Sequence, residues 1–414
     1  MKRRSILCLA VALSATRAFS ETSYRDIDAP PHLYRTRTPT DRFTRMKDDI
    51  ENGRIALDRT SEKAFLESLL AALHVPASSQ MLVFSTTSLQ LRLISPSNPR
   101  AIFFTDDLYV GYIPGGRIEV VSLDPELGAI FHIFDIPPAS QPVRIERSER
   151  CMNCHASADT GFVPGLTLKS VVPGPGGGSL NAFRQEQTGH GIPFDQRLGG
   201  WYVTGRSGIA DHWGNTIGRM SAGTLTRQKI EPGTLFDFAR YPVATSDILP
   251  MLLLEHQAGF VNRVVEAGYR ARTDLFLSSG KLDAAQMQEL DAQARSLTRY
   301  ILFADEVPLP AGGVEGSAAF KRDFLSVGVT KGGGPSLRDF DLRTRLFKHR
   351  CSYMIHSPLF HGLPPEMKQR IFRRIGEALN VEKPDAEYAY LPVEEKSVIR
   401  AILKATLRDL PRDW

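Results

Sequence analysis

Between residues 81 and 136 the chain consists of short apolar runs separated by Pro, Gly, Asn and Asp. Runs of this length that are rich in β-branched and aromatic residues are typical of strands, and the separating residues are typical of tight turns. Strands joined by tight turns favour an antiparallel sheet. The adjacent carboxylates Asp106 and Asp107 fall between two runs, which favours a turn over a catalytic pair. The predicted strands cover residues 81–86, 89–94, 101–104, 108–113, 118–121 and 129–136.

From residue 242 onward the apolar residues recur at helical spacing instead. Leu252, Phe260 and Val264 fall on one helical face, and Asp247 in front of them is a candidate N-cap. Further helices are predicted over residues 281–304, 337–354, 365–379 and 393–407.

Three different patterns precede the predicted sheet. Residues 1–20 combine a basic start, a short apolar run and a small-residue ending, which predicts a signal peptide that is removed on export. Residues 21–60 are polar, contain Pro30-Pro31, and are interpreted as an extended arm. Ser61 is a candidate N-cap for a helix whose apolar residues from Phe65 to Leu73 share one face.

Together these patterns predict an α+β protein. Residues 61–235 are expected to form a sheet-rich domain, and residues 236–414 are expected to form a mainly helical domain that covers it. The chain of 414 residues is long enough for one large domain or two ordinary ones.

The charge balance of the chain argues against nucleic acid as a partner. The whole chain has 51 basic and 46 acidic residues, but residues 1–20 hold four basic and no acidic ones, which leaves 47 against 46. The mature chain is therefore nearly neutral, without the basic surface that nucleic-acid binding requires. No apolar run after the signal approaches the length of about 20 residues that spans a membrane. We therefore expect the mature protein not to be integral to a membrane.

The candidate chemistry lies in the five residues Cys151-Met152-Asn153-Cys154-His155. Two thiols separated by two residues and followed at once by an imidazole can attach a haem covalently and bind its iron from one side. A zinc site would need further ligands at close spacing, and the only other cysteines are Cys8 and Cys351. A thioredoxin-like redox pair would not need the histidine. Cys351 is interpreted as a small buried core residue.

In these five residues the chain resembles the c-type cytochromes. Over its whole length it is similar to uncharacterised bacterial exported proteins with one such motif. The resemblance implies one haem c, with thioether bonds to Cys151 and Cys154 and His155 as proximal iron ligand. It also implies attachment outside the cytoplasmic membrane, which agrees with the predicted signal peptide and suggests a periplasmic protein. Because small electron carriers of that family need far fewer residues, most of this chain is expected to serve another purpose.

A segment rich in Gly and aromatic residues follows the motif, and it supplies the candidates for the other side of the haem. Trp201 and Tyr202 are predicted to pack on the porphyrin, although a Gly-bent sheet with its own core explains them equally well. His212 is the predicted distal iron ligand, since a hairpin after residues 201–204 could return it across the haem. His190 and Met220 are the alternatives, and an open distal position is another.

Three functions remain open at this point. The leading hypothesis is a periplasmic monohaem cytochrome that performs electron transfer or a redox step with a partner protein or a small-molecule donor or acceptor. The second is a peroxidase-like oxidoreductase with an open distal site. The third is a haem-based module that senses a ligand or binds a partner.

Overall fold

The computed structural model describes residues 23–182, 189–327, 333–411 and 414. The predicted signal peptide, residues 1–20, lies outside the described residues. An antiparallel, sheet-rich region is followed by a mainly helical region, so the predicted α+β class is confirmed. The strands are β1 (Met81–Val83), β2 (Arg100–Phe104), β3 (Leu108–Tyr112), β4 (Ile118–Asp124), β5 (Gly128–Phe134), β6 (Glu146–Arg147), β7 (Val171–Pro173), β8 (Ser179–Ala182), β9 (Trp201–Tyr202), β10 (Thr216–Ser221) and β11 (Thr224–Lys229). The helices are α1 (Arg42–Glu51), α2 (Glu62–Ala72), α3 (Met152–His155), α4 (Ile248–Leu277), α5 (Ala284–Ile301), α6 (Ala318–Ser326), α7 (Pro358–His361), α8 (Pro365–Ala378) and α9 (Val393–Thr406).

Seven strands form the main sheet in the order β6-β5-β4-β3-β2-β1-β9, and every neighbouring pair is antiparallel. Five of the six predicted strands are present in it. The sixth, over residues 89–94, is wrong, because this segment forms a short 3-10 turn at Leu91–Leu93. Strand β1 already pairs with β2 on one side and β9 on the other, so no edge is left for it there.

The two faces of the sheet are buried against different layers. Alternate side chains such as Phe103 and Val120 pack with Phe65 and Leu69 of α2 in one apolar cluster. The side chains of the opposite face join a larger cluster that includes α4 and the later helices. One face of the sheet and the helical region therefore share a core, and the opposite face forms a second core with α1 and α2.

Most helix predictions are confirmed. Ser61 caps α2 through a hydrogen bond that its hydroxyl accepts from the amide of Ala64 at 3.0 Å. Asp247 occupies the N-cap position of α4, although its carboxylate accepts a hydrogen bond from the amide of Ser317. Within the described ranges, no helix combines the length and apolarity needed to cross a membrane.

The helix predicted over residues 337–354 is wrong. The carboxylate of Asp341 accepts hydrogen bonds from the amides of Arg343 and Thr344, which stabilises a turn instead of a helix. Regular structure resumes only with a 3-10 turn at Tyr353–His356. Cys351 is fully buried here, and burial raises the pKa of its thiol well above the usual value.

The extended arm predicted for residues 21–60 is also wrong in part, because it contains α1. Asp41 caps this helix by accepting a hydrogen bond from the amide of Thr44 at 2.9 Å. Phe43 and Ile50 are its buried residues, and they lie seven positions apart on one face. Such a sparse apolar pattern is easily taken for a polar arm.

Replacing Phe43 with Ala should destabilise the protein by about 3–5 kcal/mol, because a fully buried ring is removed from a closed core. The exposed residue Asp48 on the same helix is the control, and its change to Ala should shift stability by less than about 0.5 kcal/mol. Urea unfolding of both variants measures the difference. Equal effects would show that α1 is not part of the core.

Candidate functional site

The motif predicted from sequence forms the one-turn helix α3, which follows β6 and a 3-10 turn at Glu149–Cys151. Positions i, i+3 and i+4 of a helical turn lie on one side, so Cys151, Cys154 and His155 share a face. The thiol of Cys151 is half-buried and lies 3.4 Å from the hydroxyl of Ser148, whereas Cys154 is exposed. Burial raises the pKa of the Cys151 thiol, which keeps it protonated at neutral pH.

His155 is held in a defined orientation. Its Nδ1 lies 2.9 Å from the carbonyl oxygen of Gly165, and its ring packs on Phe131 of β5 with the ring centres 4.4 Å apart. Because a carbonyl oxygen can only accept, Nδ1 carries the proton and the lone pair is on Nε2. The nearest polar partner of Nε2 is the hydroxyl of Thr167 at 3.5 Å. Metal-binding histidines in proteins show this pattern, in which the second ring nitrogen donates to a carbonyl.

Burial lowers the pKa of His155 to about 4, although the hydrogen bond to Gly165 acts in the opposite direction. The imidazole is therefore neutral at pH 7. A neutral imidazole is the form that binds a metal ion.

An ion pair lies on the same sheet face as His155. A guanidinium nitrogen of Arg100 on β2 is 2.5 Å from a carboxylate oxygen of Glu119 on β4. Burial raises the pKa of the Glu119 carboxyl, but the ion pair and hydrogen bonds from Ser88 and Gln90 outweigh burial and hold this pKa below its usual range. The Glu119 carboxylate therefore stays charged.

Gly111 of β3 lies between these two residues and leaves room for the guanidinium. A Cβ atom at Gly111 would be 2.6 Å from a guanidinium nitrogen of Arg100. The Nε of Arg100 is buried and has no hydrogen-bond acceptor among the described residues. The group can therefore donate to an additional acceptor, such as a carboxylate of a bound haem.

The side chains of Trp201 and Tyr202 lie on opposite faces of the main sheet. The pairing of Val83 with both Trp201 and Arg100 places Trp201 on the sheet face of the motif, where its indole nitrogen donates to the carbonyl of Lys169 at 3.2 Å. Tyr202 points to the opposite face and donates to the carbonyl of Pro96 at 2.7 Å. Only Trp201 of this pair therefore shares a surface with His155.

His212 has the opposite tautomer to His155. Its Nδ1 lies 2.9 Å from the amide nitrogen of Gly214, and because that amide donates, Nδ1 must accept. Burial lowers the pKa of His212 to about 4, so the neutral ring carries its proton on Nε2. In this arrangement Nε2 is a hydrogen-bond donor.

The two alternative distal candidates lie in other surroundings. His190 is buried, with its Nδ1 2.9 Å from Nδ1 of His256 and its ring stacked between Tyr300 and Phe303. Met220 is 53% exposed on the hairpin formed by β10 and β11. Across the described part of the chain, no hydrogen bond or ring contact joins His190 or His212 to His155.

Sequence reasoning missed Gly165, Arg100 and Glu119. Gly165 lies ten positions after His155 in a Pro-Gly dipeptide, and that dipeptide is the one local signal that could have indicated it. Arg100 and Glu119 have no local signal, because cross-strand pairing alone brings them together.

Within the ranges that the structure covers, no three His, Cys, Asp or Glu side chains are grouped closely enough to share one metal ion.

A search with the whole chain finds no matching family model, no matching curated protein and no matching solved structure. The fold and the site define an α+β protein with a Cys-x-x-Cys-His turn on one face of an antiparallel sheet. Its function must therefore be argued from the geometry of this site.

The haem-free chain should lose stability as the pH falls from about 6.5 to about 4. In that range the unfolded chain binds protons on its histidines, whereas His32, His132, His155, His212 and His356 remain neutral in the folded state because burial lowers their pKa to about 4. Since the unfolded state binds more protons, stability rises with pH. Each such histidine contributes a slope of up to ~1.4 kcal/mol per pH unit.

Urea unfolding at half-unit pH steps measures this slope. The dependence of stability on pH should be weaker in the His155→Gln variant. The slope should fall by the contribution of one histidine, which is up to ~1.4 kcal/mol per pH unit. A stability that does not change between pH 6.5 and pH 5 would contradict the neutral, buried state of these rings.

Proposed function

We propose that this chain binds one haem c covalently, with thioether bonds from Cys151 and Cys154 and with His155 as an axial iron ligand. The observation that carries the proposal is the state of His155. Its Nδ1 proton is committed to the carbonyl of Gly165, so the lone pair is on Nε2, which has the hydroxyl of Thr167 at 3.5 Å and follows the two cysteines on the same turn. Covalent haem attachment requires this combination of residues on one turn.

The residues around the motif fit a haem. Phe131 supplies an apolar contact beside the ligand ring, and Trp201 lies on the same sheet face. The buried Nε of Arg100 has no acceptor in the part of the chain that the structure describes, and it is suited to a haem carboxylate. The charged pair of Arg100 and Glu119 adds no net charge to the site.

The proposed activity is electron transfer, or a redox step, at this haem in the periplasm. A bound haem supplies one-electron chemistry, and the protein supplies ligation, orientation and the surrounding charge. His155 provides the ligation, and Gly165 orients it. The partner we propose is a redox protein or a small-molecule electron donor or acceptor. The signal-like residues 1–20 and the motif both support export.

A second candidate function is a peroxidase-like oxidoreductase, or a ligand sensor, with an open distal position. The tautomer of His212 favours it, because Nε2 carries a proton where a ligand needs a lone pair. Neither the buried His190 nor the exposed Met220 contacts the motif residues through a hydrogen bond or ring contact among the residues described. An open position allows small molecules to bind the iron.

Haem attachment can be tested directly. Expressed with export and haem-maturation machinery, the denatured protein should retain haem on a gel, because thioether bonds survive denaturation. The Cys151→Ala/Cys154→Ala double variant should lose haem retention completely. Cys351→Ser is the matched control, since it removes a thiol outside the motif and should leave retention unchanged. Extraction of the haem from the unmutated protein by acidified organic solvent would refute the proposal.

The distal side can be tested by optical spectroscopy of the holoprotein. We expect the reduced protein to bind carbon monoxide, and His212→Ala to leave the spin state of the oxidised iron unchanged. A low-spin spectrum that becomes high-spin in His212→Ala would show that His212 is the distal ligand. The same change in His190→Ala or Met220→Ala would identify that residue instead. A measurement of peroxide turnover then distinguishes a peroxidase-like oxidoreductase, which should consume peroxide, from a ligand sensor, which should not.

A further inference from the structure

Residues 164–166 include the Gly165 carbonyl that accepts a hydrogen bond from His155. We call them the Gly165 segment, and hydrogen bonds fix this segment at both ends. The amide of Gly165 donates to the carbonyl of His155 at 2.9 Å, so the two residues exchange a pair of hydrogen bonds. The carbonyl of Pro164 accepts from the amide of Ala129 at 3.0 Å, which fastens the segment to β5 of the sheet. These bonds fix one end of the segment.

The other end is fixed by Asn262, a fully buried residue of α4. Its Oδ1 accepts from the amide of Leu166 at 2.8 Å, and its Nδ2 donates to the carbonyl of Leu166 at 2.9 Å. The side chain thus satisfies both backbone groups of Leu166, as a neighbouring strand would. The residue next to Leu166 is Gly165, whose carbonyl accepts from His155.

Gly165 allows this close approach. A Cβ atom at this position would lie 2.4 Å from Oδ1 of Asn262 and 3.1 Å from Cβ of Thr160. Any side chain would therefore push Asn262 away from Leu166. The two hydrogen bonds between Asn262 and Leu166 therefore depend on the absence of a side chain at Gly165.

We propose that Asn262 is a positioning residue that fixes the Gly165 carbonyl and thereby holds His155 in the tautomer with its proton on Nδ1 and its lone pair on Nε2. Without a fixed acceptor, the proton of a neutral imidazole can occupy either nitrogen. The second part of the proposal rests on the proposed function. When haem is bound, a firm hydrogen bond at Nδ1 makes His155 a stronger ligand, which lowers the reduction potential. Helix α4, in the C-terminal half, then controls a property of the iron.

The first measurement needs no haem. Nitrogen-15 NMR of the haem-free chain distinguishes protonated from unprotonated ring nitrogens of His155. We expect a single Nδ1-protonated form in the unmutated chain and a loss of that single form in Asn262→Leu. Gly165→Ala keeps every polar group but displaces Asn262, so it should produce the same loss. It also provides the test if Asn262→Leu does not fold.

Gln257→Leu is the matched control. Gln257 is another fully buried amide of α4, and its side chain bonds to the hydroxyls of Tyr109 and Tyr353 at 3.1 Å and 3.0 Å. The control therefore loses two hydrogen bonds from the same helix without touching the Gly165 segment. It should lose stability but keep the single tautomer of His155.

The second measurement uses the holoprotein. Asn262→Leu should raise the reduction potential relative to the unmutated protein, whereas Gln257→Leu should not. An unchanged tautomer in both Asn262→Leu and Gly165→Ala would overturn the positioning role. An unchanged potential in Asn262→Leu with an altered tautomer would overturn the control of the iron. Failure of the unmutated chain to attach haem would instead refute the proposed function, and the tautomer measurement would still decide the role of Asn262.

Discussion

Both faces of the seven-stranded sheet must be kept from water, and the architecture follows from this requirement. One face is covered by α1 and α2, which come before the sheet in the chain, and the other by α4 and the helices after it. A side chain on one of the central strands therefore enters one of two cores according to its position in the alternating pattern. The motif is placed by the same rule, because His155 packs on Phe131, which points toward α4.

The site combines apolar contacts with a few satisfied polar groups. His155 is neutral, Arg100 and Glu119 neutralise each other, and Asn262 pairs with a peptide group. Each buried polar group in this list has a partner close by, which limits the cost of burial. These contacts surround the His155 ring, while the thiol of Cys154 is exposed.

Local patterns predicted the fold class, five of the seven strands of the main sheet and most long helices, because apolar periodicity is a local property. Tertiary constraints explain the errors. Residues 89–94 alternate like a strand, but both sides of β1 are occupied. Helix α1 has only Phe43 and Ile50 to mark its buried face. The pattern near Asp341 is helical, yet the carboxylate of that residue stabilises a turn.

The site also combines residues that are close in the sequence with residues that only the fold brings together. Cys151, Cys154 and His155 lie within five residues, so the sequence alone brings them together as a candidate site, whereas Asn262 and Arg100 come from distant parts of the chain. The prediction for His212 depended on residue type and a plausible hairpin. Its tautomer depends on the amide of Gly214, a contact that the sequence does not reveal.

The pairing of β9 with β1 has a consequence for the order of folding. The two strands are far apart in the chain, and α4, which carries Asn262, follows later still. Contacts of such long range form slowly, because the loop between them must close first. On the proposed export route, a chain that crosses a membrane with its N-terminus first would present Cys151 and Cys154 before helix α4. The proposed haem would then be attached before the core closes, and the last helices would fold onto a site that is already filled.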